Sequence, residues 1–197
     1  VLLLVRVWKK IPSTDEEMSA YSREFWIFMG ATVLCLMAFQ IIIPTAIPVY
    51  NEVLGLFGIA SNLAPPADPV QFYSKFQLWF AVGIALLSGT GQFFWWRRMN
   101  FQDFKIEIQK PLMISLLISA LIFVLAEVRE VPYMILLTAS IYSITANFAI
   151  LLRLKRTNVK LSGGSIAHIG VGLMLIGILF SSGYSKILSK NNTGLLY

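Results

Sequence analysis

Long stretches without charged residues alternate with short charged segments along this chain. Five stretches contain no Asp, Glu, Lys or Arg: 25–51, 76–96, 111–126, 131–152 and 161–185. A helix rises about 1.5 Å per residue, so about 20 apolar residues cross the hydrocarbon core of a bilayer. Four of the stretches reach that length, and 111–126 approaches it when extended to residue 128 with its charged end snorkelling. The pattern therefore predicts a series of membrane-spanning helices.

These stretches predict an all-α fold, a polytopic transmembrane helical bundle of about six spans forming a single domain. The apolar run 1–8 ends at Lys9 and Lys10 and is interpreted as the end of a partial first span. From that interpretation we expect the chain to be a fragment of a longer protein. An outer loop is expected at 50–75. The other predicted spans are 25–49, 76–96, 111–128, 132–152 and 163–184.

The distribution of Lys and Arg predicts the orientation of the bundle. Twelve of the sixteen positive residues fall in the alternate segments 6–23, 97–110 and 153–160, and positive loops face the cytoplasm. We therefore expect a bacterial inner-membrane protein with cytoplasmic loops at 9–24, 97–110 and 153–162. The segments 50–75 and 185–197 are expected to be periplasmic.

Composition supports a membrane protein. Charged residues make up 13% of the chain and hydrophobic residues 57%, with a mean hydropathy of +0.72. A soluble domain has about 25% charged residues, which is about twice the fraction in this chain. The net charge of +6 is explained by the cytoplasmic loops and by attraction to anionic membrane lipid, so no nucleic-acid partner is expected.

His168, the one histidine, is the strongest candidate for chemistry. It lies in the span 163–184, and an ionisable residue inside a span is costly and therefore a candidate functional residue. Gly164 and Gly172 lie four residues to either side, on the same helical face. Two interpretations remain open from this spacing. The glycines leave room for a flat macrocycle whose metal His168 ligates, or they allow close helix packing while His168 hydrogen-bonds to a neighbour.

Three segments of the chain carry specific motifs. The segment YSREFWIFMGATVLCLMAFQIIIPTAIP (21–48) has a Ser-Arg-Glu motif that opens a span, and GGSIAHIGVGLMLIGI (163–178) has an Ala-His-x-Gly motif. The predicted outer loop contains Pro65-Pro66 and is followed by Tyr73. Together these segments resemble the cytochrome c biogenesis protein CcmF family, over almost the whole chain and in the same order. The CcsA-type proteins belong to the same haem-handling superfamily.

The resemblance implies a haem lyase that attaches haem covalently to apocytochrome c at the periplasmic face and holds a haem b within the membrane. His168 corresponds to one axial ligand of that haem, with Gly164 and Gly172 beside it. Arg23, Glu24 and Tyr73 are possible supporting residues, and no catalytic residue is identified. Implied partners are a haem carrier protein, apocytochrome c and other cytochrome c maturation subunits.

Three functional hypotheses follow. The first is the haem lyase, for which the intact parent protein is expected to be an enzyme and this fragment alone is not expected to be active. The second is a CcsA-type haem exporter or synthase component. The third is a cofactor-free structural bundle, in which His168 would only bridge helices.

Overall fold

The computed structural model describes residues 20–96, 100–157 and 162–184, and within them it is all-α. The predicted partial span at 1–8 and the periplasmic segment 185–197 lie outside these ranges. The described residues contain no strand. The helices are α1 (Arg23–Thr45), α2 (Ile47–Leu56), α3 (Pro69–Trp96), α4 (Phe101–Leu125), α5 (Val131–Thr157) and α6 (Gly163–Ile178), with a π-helical turn at Leu179–Gly183.

Five of the described helices are long and apolar enough to cross a membrane, so the chain is a multi-pass membrane protein. The predicted all-α bundle is confirmed. The five candidate spans are Arg23–Thr45, Pro69–Phe94, Phe101–Leu125, Val131–Leu154 and Gly163–Gly183.

The helices extend further than the uncharged stretches that predicted them. Helix α4 begins at Phe101, inside the segment 97–110 that was expected to be a loop, and α5 continues to Thr157. Charged residues tie these extensions together, because Arg153 of α5 pairs with Glu107 of α4. Absence of charge marks the part of a helix that lies in hydrocarbon, and a helix continues beyond it.

The segment 50–75, expected to be an outer loop, is helical over about half of its length. Helix α2 covers its beginning and α3 already starts at Pro69, which leaves 57–68 as the connection. The Ala46 carbonyl accepts a hydrogen bond from the Tyr50 amide at 3.0 Å, so the chain resumes a helix directly after α1. Pro48 lies in the first turn of α2, where a missing amide proton costs little.

Helix α5 is the centre of the bundle and contacts α3, α4 and α6 most extensively. More than half of the most apolar stretch of α5 is buried, whereas no residue in the corresponding stretch of α1 is buried. Two glycines allow neighbouring helices to approach it closely. A Cβ added at Gly89 of α3 would lie 2.7 Å from Tyr142, and one added at Gly172 of α6 would lie 2.6 Å from Ile144. Small residues at membrane helix interfaces have this effect.

The α3–α5 interface is polar as well as close. The Ser88 and Ser143 hydroxyls are 3.1 Å apart, and the Asn147 amide nitrogen donates to the Ser143 and Ser88 carbonyls at 2.8 and 3.3 Å. All three side chains are buried. Hydrogen bonds of this kind hold helices together in lipid, where hydrophobic association is weak.

Helix α1 lies at the edge of the bundle and packs against α3. Ser22 caps it by accepting a hydrogen bond from the Phe25 amide at 3.2 Å. Near its far end, the Gln77 side chain of α3 donates to Gln40 at 2.6 Å. Thus α1 is held to one neighbouring helix along its length.

Replacing Gly172 with Ala should destabilise the bundle by about 1–3 kcal/mol, because the new methyl group would meet Ile144 and the Ser140 carbonyl. Gly177→Ala on the same helix is the matched control, since nothing lies within 4 Å of its added Cβ. Alanine favours a helix over glycine, so the control should be neutral or stabilising. Reversible unfolding in detergent measures both variants. Equal stability of the two would contradict the close α5–α6 packing.

Candidate functional site

A cavity of about 440 Å³ lies between α1, α3 and α6, and His168 lines it. Helices α1 and α6 each contact α3 but are not packed closely on each other, so the cavity lies between them with α3 as its floor. Its volume is within the range of about 300–1,000 Å³ that small-molecule and cofactor sites occupy. The cavity is open at its edge, where Ile27 and Leu34 remain more than half exposed.

One face of α1 forms the first wall. Arg23, Ile27, Gly30 and Leu34 follow one another at spacings of four, three and four residues, which places them on the same side of a helix. Gly30 has nothing within 4 Å of the position of an added Cβ, so its missing side chain leaves space in the cavity. This wall is apolar except at Arg23.

Trp26 closes the end of the cavity where α1 begins. Its indole stacks on Phe94 of α3 with ring centroids 5.3 Å apart and planes 6° apart. Its indole nitrogen donates to the Ala20 carbonyl at 3.0 Å. Gly91 makes room for this ring, because an added Cβ there would lie 3.4 Å from the Trp26 Cβ. The two contacts hold the indole as a rigid part of the wall.

The α3 wall carries two polar residues. Ser88 and Gln92 both line the cavity one helical turn apart, among apolar neighbours such as Ile84 and Leu87. The Ser88 hydroxyl is already paired with Ser143 behind the wall. Gln92 lies beside α6, since its side-chain nitrogen would be 3.6 Å from a Cβ at Gly164.

Helix α6 supplies His168 and Val171 to the cavity. His168 is half-buried, and none of the residues that the structure describes forms a hydrogen bond with its ring. Within residues 20–96, 100–157 and 162–184, His168 therefore does not bridge two helices by a hydrogen bond. A neutral imidazole has one nitrogen available as a metal ligand.

The two glycines beside His168 have different surroundings. The space beside Gly172 is filled by Ile144 and the Ser140 carbonyl of α5, so Gly172 is a packing residue between α5 and α6. The expected room for a macrocycle next to Gly172 is therefore occupied by α5. Gly164 is exposed and lies near Gln92, a residue of the cavity wall. Open space in the cavity that His168 lines is left by Gly30 of α1.

The supporting residues proposed from the motifs do not all reach the site. Arg23 lines the cavity, whereas its neighbour Glu24 does not, although the two side chains are 3.7 Å apart. Tyr73 lies near the opposite end of the bundle, where its hydroxyl is 2.7 Å from that of Thr45. Tyr73 thus ties α1 to α3 and does not share a cavity with His168.

Sequence reasoning did not identify Trp26, Gly30, Ser88 or Gln92 as site residues. The sequence feature that could have indicated them is spacing. Gly30 lies seven residues after Arg23, and Gln92 lies four residues after Ser88. Each pair shares a helical face, but only the fold shows that the two faces meet opposite His168.

The side chains around His168 suit a metal that is already bound in a prosthetic group better than a bare metal ion. The described part of the chain has no group of three or more His, Cys, Asp or Glu side chains placed to hold a metal ion. A metal at His168 would therefore take most of its ligands from a macrocycle or from residues beyond this part of the chain. The apolar walls and the single imidazole fit a haem, whose iron accepts an axial histidine.

Comparison with known proteins assigns no family to the chain. No protein-family model matches it, and no curated protein or solved structure is significantly similar to it. What the site can bind therefore follows from the cavity around His168 and from the sequence motifs.

Proposed function

We propose that this chain is the late part of a CcmF-type haem lyase and that His168 is an axial ligand of a membrane haem b. The observation that carries the proposal is the position of His168. Its ring lines a cavity of about 440 Å³ and forms no hydrogen bond with the residues that the structure describes. A polar ring inside a span without a partner is costly, and coordination of a metal would remove that cost.

The cavity walls support a large apolar ligand. Ile84 and Leu87 of α3 face Leu34 of α1 and Val171 of α6 across it. Such walls exclude water from an iron centre and so influence its reduction potential. When bound, haem supplies one-electron iron chemistry. The chain's own residues supply an axial nitrogen, an apolar enclosure and one cationic side chain, Arg23.

The open edge of the cavity is consistent with a ligand shared between this chain and further helices. Helix α1 buries none of its most apolar stretch, and the described residues offer no second histidine. We propose that the remaining wall and the second axial ligand come from the rest of the parent protein or from another subunit.

The proposed setting is the bacterial inner membrane, with the His168 end of the bundle towards the cytoplasm. The sequence has four basic residues in each of the segments 6–23, 97–110 and 153–160, and the positive-inside rule assigns such segments to the cytoplasm. The proposed partners are a haem carrier protein, apocytochrome c and other cytochrome c maturation subunits, and covalent attachment would occur at the periplasmic face. These partners rest on the motif resemblance, whereas the haem b site also rests on the cavity.

Replacing His168 with Gly in the full-length parent protein should abolish the b-type signal in the reduced-minus-oxidised absorption spectrum. Added imidazole should restore the signal, because it can enter the space that the side chain leaves and ligate the iron. Val171→Ala is the matched control, since it removes side-chain volume from the same helix and cavity but no ligand. A signal that persists in His168→Gly would place the haem elsewhere.

Filling the cavity should also expel haem without unfolding the protein. Gly30→Leu places a side chain into the space beside the α1 wall, where nothing lies within 4 Å of its Cβ. We expect most of the haem to be lost from the purified parent protein while its unfolding transition is retained.

Gly55→Leu on α2 is the control for this variant, because it makes the same change in open space away from the cavity. Its haem content should equal that of the unmodified protein. Haem retained in full by Gly30→Leu would show that the cavity is not the binding site.

A further inference from the structure

We infer that Arg23 binds a carboxylate of the cavity ligand, so that the acidic edge of the ligand lies where α1 begins and its apolar body extends towards Leu34. The inference rests on the proposed haem site and adds to it the orientation of the ligand and the group that recognises its acidic substituents. Arg23 is the one charged side chain among the described residues that line the cavity, apart from the titratable His168.

Polarity is graded along the cavity. Arg23 and Leu34 are eleven residues apart on one face of α1, a rise of about 16 Å. Arg23 lies at the beginning of α1, and Gln92 lies near the end of α3 beside the first turn of α6. Further along α1, Ile27, Gly30 and Leu34 offer no polar side chain. A ligand that is apolar at one edge and anionic at the other matches this gradient.

His168 lies between the two extremes. It is five residues after Gly163, the first residue of α6, which corresponds to about 7.5 Å along the helix axis. Arg23 is the first residue of α1, and both helices begin at the same end of the bundle. A macrocycle ligated by His168 can therefore direct acidic substituents towards the Arg23 end and still have its body in the apolar part.

Glu24 does not prevent this role. Its carboxylate is 3.7 Å from the Arg23 guanidinium, and the Glu24 side chain is 66% exposed and does not line the cavity. An exposed pair of this kind contributes little. Arg23 has a further interaction besides Glu24. A guanidinium has five N–H donors in a planar fork, so it can bind a ligand carboxylate while it keeps these contacts.

Arginine also suits carboxylate recognition better than lysine. Its fork can form two parallel charge-assisted hydrogen bonds with one carboxylate, while its aliphatic part packs against the apolar wall. Trp26, fixed by Phe94 and by the Ala20 carbonyl, lies one turn along α1 from Arg23. The rigid indole therefore restricts the positions that a ligand edge can take next to the guanidinium.

The test compares the affinities of haem and haem dimethyl ester for the full-length parent protein, using the b-type signal that depends on His168. Esterification removes the charge of both acidic substituents but leaves the ring and the iron. The unmodified protein should bind haem more tightly than the ester. Arg23→Gln should weaken haem binding about tenfold or more and leave ester binding unchanged, because a charge-assisted hydrogen bond is lost only with haem.

Two further variants separate recognition from folding. Arg23→Lys keeps the charge and should still prefer haem to the ester, with a smaller preference than Arg23. Glu24→Gln removes the neighbouring carboxylate and should leave the preference unchanged or increase it. Equal weakening of haem and ester by Arg23→Gln would overturn the inference, since it would indicate a role in folding only.

The outcomes also separate this inference from the proposed function. An unmodified protein that binds haem and ester equally well would overturn carboxylate recognition and leave the haem site intact. A protein that binds neither compound through His168 would overturn both. Tighter haem binding that depends on Arg23 would support both.

Discussion

The close approach of α3 and α6 to the central helix α5 is the interaction on which the rest of the structure depends. Glycine makes it possible on both sides, at Gly89 against Tyr142 and at Gly172 against Ile144. In lipid, helices gain little from burying apolar surface, so such contacts and buried hydrogen bonds have to hold them. The Ser88–Ser143 pair and Asn147 supply those hydrogen bonds at the α3–α5 interface.

This arrangement also creates the cavity. Because α6 packs on α5 and α1 packs on α3, the faces of α1 and α6 are left opposite each other without close contact. Gly30 widens the gap, and His168 faces into it. Gly172 thus shapes the site indirectly, by holding α6 against α5, while Gly30 leaves the space that a ligand would fill. A polar ring in an apolar gap is the feature that distinguishes this region from ordinary helix packing.

The sequence predicted the all-α membrane bundle well because absence of charge over about 20 residues is a direct physical requirement for crossing hydrocarbon. It predicted the ends of helices less well. The charged turns of α4 and α5 that carry Glu107 and Arg153 are helical although they lie beyond the uncharged stretches. These turns continue an existing helix, and their charged side chains pair with a residue of the neighbouring helix. A search for uncharged stretches detects neither feature.

For the site, the sequence drew attention to His168 because an ionisable residue inside a span is conspicuous, and the motif resemblance added Arg23. It assigned equal roles to Gly164 and Gly172 because both lie four residues from His168. The fold separates them, since α5 fills the space at Gly172. It also brings in Gly30 and Trp26 from a helix far away along the chain, which spacing within α6 cannot reveal.

We propose that the cavity between α1, α3 and α6 holds a haem ligated by His168. Electron cryo-microscopy of the full-length parent protein in lipid nanodiscs tests it most directly. We expect planar density within the cavity, joined to the ring of His168 on one side. An additional helix of the parent protein packed into the same space, with His168 hydrogen-bonded to it, would contradict the claim.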